Sequence, residues 1–243
     1  METPTRKYKK HKQGYSISVA YYLRKEKGSS LLDLFANKHK YPLSIRVSFL
    51  QQTVKIRSRL VIRLTEEEFN EYMKKPHVAE FIEVETATIK KSVQQLKPEN
   101  KADFRISEWS QYYEMKNESL FSRVNRVVKE HFIELTKSSD NETEQEKGIG
   151  DVIVSTGLLA VKILALRFKS EPAELLYDKY KYLIDLFMLN FWNLSNIGYT
   201  VWDWELGTLQ AMIEKKYGDD SLRVLSVLNE VIAEYETLPN DDD

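Results

Sequence analysis

The sequence predicts an α+β fold: a small N-terminal three-stranded antiparallel sheet with a covering helix, followed by a larger all-α helical bundle. Three observations predict it. Two-residue alternation of apolar and polar side chains is confined to the first third of the 243-residue chain. Apolar residues recur at helical spacing through the remainder. Caps and stop residues divide that remainder into helices of ordinary length.

The first predicted strand is Tyr15 to Arg24. Tyr15, Ile17, Val19, Tyr21 and Leu23 fall on one face, and Ser16, Ser18, Ala20, Tyr22 and Arg24 on the other. That is the period of a half-buried strand. In the second, Leu43 to Leu50, Leu43, Ile45, Val47 and Phe49 face one way and Ser44, Arg46 and Ser48 the other. The third, Thr53 to Arg63, turns Val54, Ile56, Leu60 and Ile62 inward and Lys55, Arg57, Arg59 and Arg63 outward. Gln51-Gln52 is the expected turn between the last two, without the usual Asn-Gly or Asp-Gly. The regular alternation and the β-branched residues on both flanks carry the hairpin.

A helix should cover the aliphatic face. Thr65-Glu-Glu-Glu68 has the spacing of a capping box, with Thr65 at the N-cap and Glu68 at N3. Phe69, Tyr72 and Met73 then share one side of the helix and are expected to pack on the sheet.

The net charge of −1 hides an uneven distribution. Residues 1–63 hold 15 Lys/Arg and three acids, a net of +12, and residues 64–243 hold 21 Lys/Arg and 34 acids, a net of −13. A basic segment of this kind points to a polyanionic partner, or to an acidic surface of this or another protein. The outer sheet face would show Tyr22, Arg24, Arg46, Lys55, Arg57 and Arg59. Like charges on neighbouring strands repel, so such a face is costly unless something neutralises it. Charged side chains also block edge pairing, which is the plainer reading.

Tyr15 to Arg24, Pro42-Leu-Ser-Ile-Arg-Val-Ser48, Val54-Lys-Ile-Arg57 and Thr65-Glu-Glu-Glu-Phe-Asn70 together resemble a known module. It is the arm DNA-binding domain at the N-terminus of tyrosine recombinases and integrases of phages and mobile elements. The resemblance covers about residues 13–75. It implies a three-stranded sheet that binds duplex DNA in the major groove. Two features depart from the pattern. The loop Glu26 to Tyr41 is long and contains Leu31-Leu-Asp-Leu-Phe35, and the hairpin turn lacks glycine. The recombinase catalytic half is absent, because none of His11, His39, His77 and His131 is followed by Arg three residues on. No tyrosine therefore has the partners of a nucleophile.

The rest reads as helices. Residues 77–97 hold one or two, ending near Pro98, and Glu99 to Asp103 reads as a linker. Ser107 is the expected cap of a long helix through Lys137, striped by Trp109, Tyr112, Tyr113, Leu120, Val124, Val128 and Phe132. Ser138 to Lys147 is polar and reads as a flexible acidic loop. Four bundle helices follow: Gly150 to Phe168, Ser170 to Asn193, Thr200 to Tyr217 stopped by Gly218, and Ser221 to Tyr235 capped by Asp220. The predicted organisation is a basic β-rich module over 1–97, a connecting helix over 98–137, a loop over 138–148 and a bundle over 149–243.

Ile149 to Phe168 is apolar enough to be weighed as a membrane span. Asp151, Lys162 and Arg167 inside it favour a buried helix, and no membrane association is expected. The basic residues before Lys12 are not followed by an apolar run, so no secretory signal is read. Trp192, Trp202 and Trp204 cluster near a turn. They read either as a partner-binding hot spot or as large aromatics sealing the bundle end. Asp203 and Glu205 beside them are two apart and do not face each other on a helix.

The chain has no cysteine and four histidines without ligand spacing, so no metal site is expected. It has no phosphate-binding glycine loop and no nucleophile elbow. No cofactor, small-molecule substrate or catalytic residue is expected. The expected function is that of a non-enzymatic DNA-binding accessory protein of a phage or mobile element, cytoplasmic, with an acidic helical body that contacts a protein partner or itself. The alternative is a structural or assembly protein, such as a virion component, whose basic face docks on an acidic surface.

Overall fold

The computed structural model describes residues 16–24, 40–60, 62–96, 104–116, 118–137, 157–169, 171–191 and 198–238. The fold is α+β, with a small antiparallel sheet followed mostly by helices. Strands β1 (Ser18–Leu23), β2 (Tyr41–Phe49) and β3 (Gln52–Arg57) lie in sequence order. β1 pairs with β2 from Ser18↔Ser48 to Leu23↔Leu43, and β2 with β3 from Ser44↔Arg57 to Phe49↔Gln52. A two-residue strand, β4 (Arg63–Leu64), returns to the start of β2 at Tyr41 and Pro42.

The turn sits one residue earlier than expected. Phe49 and Gln52 close the hairpin, and Leu50 and Gln51 span it with φ of 50° and 64°. Both central residues of a type I′ turn need positive φ, which glycine or asparagine supplies at less strain. Gln52 is instead the last paired residue. Its side-chain amide accepts from the Ile106 N–H at 3.0 Å and donates to the Phe104 carbonyl at 2.8 Å.

The third strand ends sooner than its alternation suggests. After Arg57 the Ser58 N–H bonds to the Leu43 carbonyl, and the chain bends through Ser58, Arg59 and Leu60, all buried.

Helices follow as α1 (Glu66–Tyr72), α2 (Pro76–Gln95), α3 (Ile106–Met115), α4 (Leu120–Lys137) and α5 (Leu158–Ile163, continued by a π-helical turn, Leu164–Phe168). Then come α6 (Glu171–Phe191), α7 (Val201–Glu205), α8 (Thr208–Tyr217) and α9 (Ser221–Tyr235). The capping box of α1 forms as read: Thr65 Oγ1 accepts from the Glu68 N–H at 3.1 Å, and Glu68 accepts from the Thr65 N–H at 2.9 Å. Gly218, with φ of 53°, stops α8.

Two expected long helices are broken. Residues 107–137 form α3 and α4, because Glu118 and Ser119 leave the helix to pair with the strand-like Tyr199–Val201. Residues 200–217 form α7 and α8, divided at Gly207, whose φ is 69°. The 99–103 linker, the 138–147 loop and residues 31–35 lie outside the described residues.

The covering helix is also different. The inner sheet residues Ile45, Val47, Phe49 and Ile56 pack with Ile89 and Val93 of α2, Ile106, Trp109 and Tyr113 of α3, and Trp202 of α7. Tyr72 of α1 belongs to a second cluster. That cluster runs from Leu43 and Leu60 through α2, α4, α5, α6 and α8 to Val231 of α9. Sheet and helices therefore share their apolar interior. Among the described residues no helix is long and apolar enough to cross a membrane.

Candidate nucleic-acid interface

The register fixes the outer sheet face. Ala20, Arg46 and Lys55 stand side by side across the three strands, and Tyr22, Ser44 and Arg57 form the neighbouring row. Arg24 follows β1 and donates its backbone N–H to Pro42 at 3.0 Å. Arg24, Arg46, Lys55 and Arg57 are all exposed. None of the four is in a salt bridge with another described residue. Arg46 and Lys55 are direct cross-strand partners, a like-charge pair that costs a few tenths of a kcal/mol or more on an antiparallel sheet. The Arg46 guanidinium lies 5.3 Å from the centroid of the Tyr22 ring, over its face. Five of the six expected grip residues are thus on one face.

Arg59 is the exception, and it corrects the reading. It is 2% exposed and lies in the core, because the strand ends two residues before it. Its guanidinium forks onto Asp203, Nη1 to Oδ2 at 2.6 Å and Nη2 to Oδ1 at 2.9 Å. Its Nε reaches Glu85 at 3.2 Å. Glu85 also accepts from the Tyr21 hydroxyl at 2.8 Å, the Ser58 hydroxyl at 2.9 Å and the Arg59 N–H at 2.9 Å. Asp203 further accepts from the Thr88 hydroxyl at 2.5 Å and the Thr200 N–H at 2.8 Å. The two carboxylates hold the Arg59 guanidinium charged against its burial. Burial, reinforced by the Glu85 charge, pushes the Tyr21 hydroxyl well up. The Tyr113 hydroxyl is pushed well up too, chiefly by burial.

The periodicity of strand three could not reveal this cluster. Two subtler signals were present. Glu85 and Thr88 interrupt the apolar stripe of Val78, Phe81, Ile89 and Val93, and Thr200-x-x-Asp203 has capping-box spacing.

Among the described residues, Trp202 and Trp204 do not form an exposed patch. Trp202 is 5% exposed, with its ring 5.4 Å from Tyr112 and 5.7 Å from Tyr113. It seals the sheet core from the helix side, which corrects the reading of it as a partner-binding anchor. Trp204 is half-buried against the larger cluster, and Trp192 lies outside the described residues.

A third cluster joins three bundle helices. His131 of α4 bonds through Nε2 to Glu234 of α9 and through Nδ1 to the buried Tyr180 hydroxyl of α6, at 2.5 Å. Among the described residues, no group of His, Asp or Glu is placed to hold a metal ion. No family model, curated protein or solved structure matches the chain.

Proposed function

We propose that this protein is a non-enzymatic nucleic-acid-binding accessory protein that grips duplex DNA with the outer face of its sheet. One observation carries the reading: four exposed cations, Arg24, Arg46, Lys55 and Arg57, share a face with no opposing carboxylate among the described residues. A face held against its own repulsion suits a polyanion. Arg and Lys contacts to phosphate position the protein, and an arginine reaching guanine would read sequence. The resemblance of residues 13–75 to recombinase arm domains supports the same partner and a mobile-element setting. A binding role is also favoured because Arg59, Glu85, Asp203 and Tyr180 are closed within the interior. The acidic helical body supplies the protein contacts.

The test is a salt titration of the full chain on a short random duplex. Replacing both Lys55 and Arg57 by Ala should flatten the slope of log K against log salt by about 2. Wild-type protein that binds no duplex at low salt would overturn the reading. Defined oligomers at low salt in that case would favour the assembly role, in which the +12 segment docks on acidic surface of a second copy.

A further inference from the structure

We infer that Tyr22, Ser44 and Arg57 form a phosphate subsite on the sheet face, taking one phosphodiester of a nucleic-acid backbone on two hydroxyls and a guanidinium. The inference rests on the nucleic-acid reading of the same face. The three residues are direct neighbours across β1, β2 and β3, Tyr22↔Ser44 and Ser44↔Arg57. Ser44 sits on the outer face, between Tyr22 and Arg57 and next along its face to the outward Arg46, yet it is only 2% exposed. Its Oγ and the Tyr22 hydroxyl are both shut off from solvent, and neither has a hydrogen-bond partner among the described residues.

An unpaired buried hydroxyl is unfavourable, and native proteins carry few. The same face shows what satisfaction looks like: two rows along, Ser48 and Thr53 bond to each other across the strands at 2.9 Å. On this face, among the described residues, the deficit falls in the row that carries Arg57. Two hydroxyl donors beside a free guanidinium need acceptors, and several at once. A phosphate supplies several anionic oxygens on one centre, enough for both hydroxyls and a forked arginine. Arg46 borders the row, with its guanidinium over the Tyr22 ring. It is exposed, so its guanidinium can turn from the ring to an incoming phosphate and add a second cation beside Arg57.

The hydroxyls are neutral, which separates their role from that of the cations. Ser44→Ala and Tyr22→Phe should each weaken duplex binding about tenfold, the scale of one hydrogen bond to a charged group. The salt slope should stay at the wild-type value, because no charge is lost. The thermal midpoint of free Ser44→Ala should equal or exceed that of wild type, because an unpaired buried polar atom is removed. Wild-type affinity in both variants overturns the subsite and leaves the nucleic-acid reading standing. A lowered midpoint for Ser44→Ala overturns it as well, since the hydroxyl would then be structural.

If the wild-type chain binds no duplex, inorganic phosphate titrated into the ¹⁵N-labelled full chain decides the remainder. Shifts at Ser44 and Arg57 that vanish in Ser44→Ala support the subsite and assign it to free phosphate. No shifts overturn the subsite along with the nucleic-acid reading.

Discussion

Arg59 carries its charge into an apolar interior, and two carboxylates and the Thr200 hydroxyl answer it. Removing one member of a buried pair is worse than never building it, because the partner stays buried and charged. Arg59→Met is expected to lower stability by about 3–5 kcal/mol in urea unfolding. A loss under 1 kcal/mol would show that Glu85 and Asp203 find other partners. Gln51 is the opposite case. It is exposed and held at φ of 64°, where a side chain is strained. Gln51→Gly should raise stability by about 1 kcal/mol, measured the same way. Any loss would mean that its side chain does something the turn needs. The tyrosines add a pH dependence. Burial lifts the Tyr21 and Tyr113 hydroxyls well above 10, and raises Tyr72 and Tyr217 to about 12. Their folded-state values lie above those of the unfolded chain. The stability they hold is therefore complete below about pH 10 and is lost as pH rises toward 12 and beyond. Alkaline melts followed by tyrosinate absorbance should show ionisation and unfolding together; ionisation well ahead of unfolding would contradict it.

Among the elements, the short strands and the capped helix were legible because their signals are local. Alternation placed Arg46, Lys55 and Arg57 on one face, and Thr65-x-x-Glu68 named its own helix start. Thr65→Ala should cost about 1 kcal/mol and fray α1 in hydrogen exchange. The breaks at Lys116–Ser119 and Leu206–Gly207 were not legible, because remote segments decide them. Glu118 and Ser119 give up helical bonding for partners some eighty residues away, at Tyr199 to Val201. Arg59 continued the alternation of strand three, and only the departure of the backbone at Ser58 turns it inward. The basic face was visible in the sequence; the unpaired hydroxyls within it depend on what surrounds Ser44 in three dimensions. The His131 link is equally remote, joining α4, α6 and α9 through two ring nitrogens.

At the scale of the whole molecule, the sheet is finished by the helices. Its inner face packs on Trp109 and Tyr113 of α3 and Trp202 of α7, and its buried arginine pairs with Asp203. Residues 1–97 expressed alone should therefore lack a cooperative thermal transition, whereas the full chain should show one by calorimetry. A fragment that melts cooperatively would make the sheet an autonomous unit. The pairing also sets an order of events in the cell. Arg59 and Asp203 are 144 residues apart, and a ribosome adding about 5–20 residues each second needs roughly 7–30 s to bring the second after the first. For that interval a nascent sheet with an unneutralised cation and an uncovered aliphatic side waits on the growing chain, and it is then that a chaperone has most to hold.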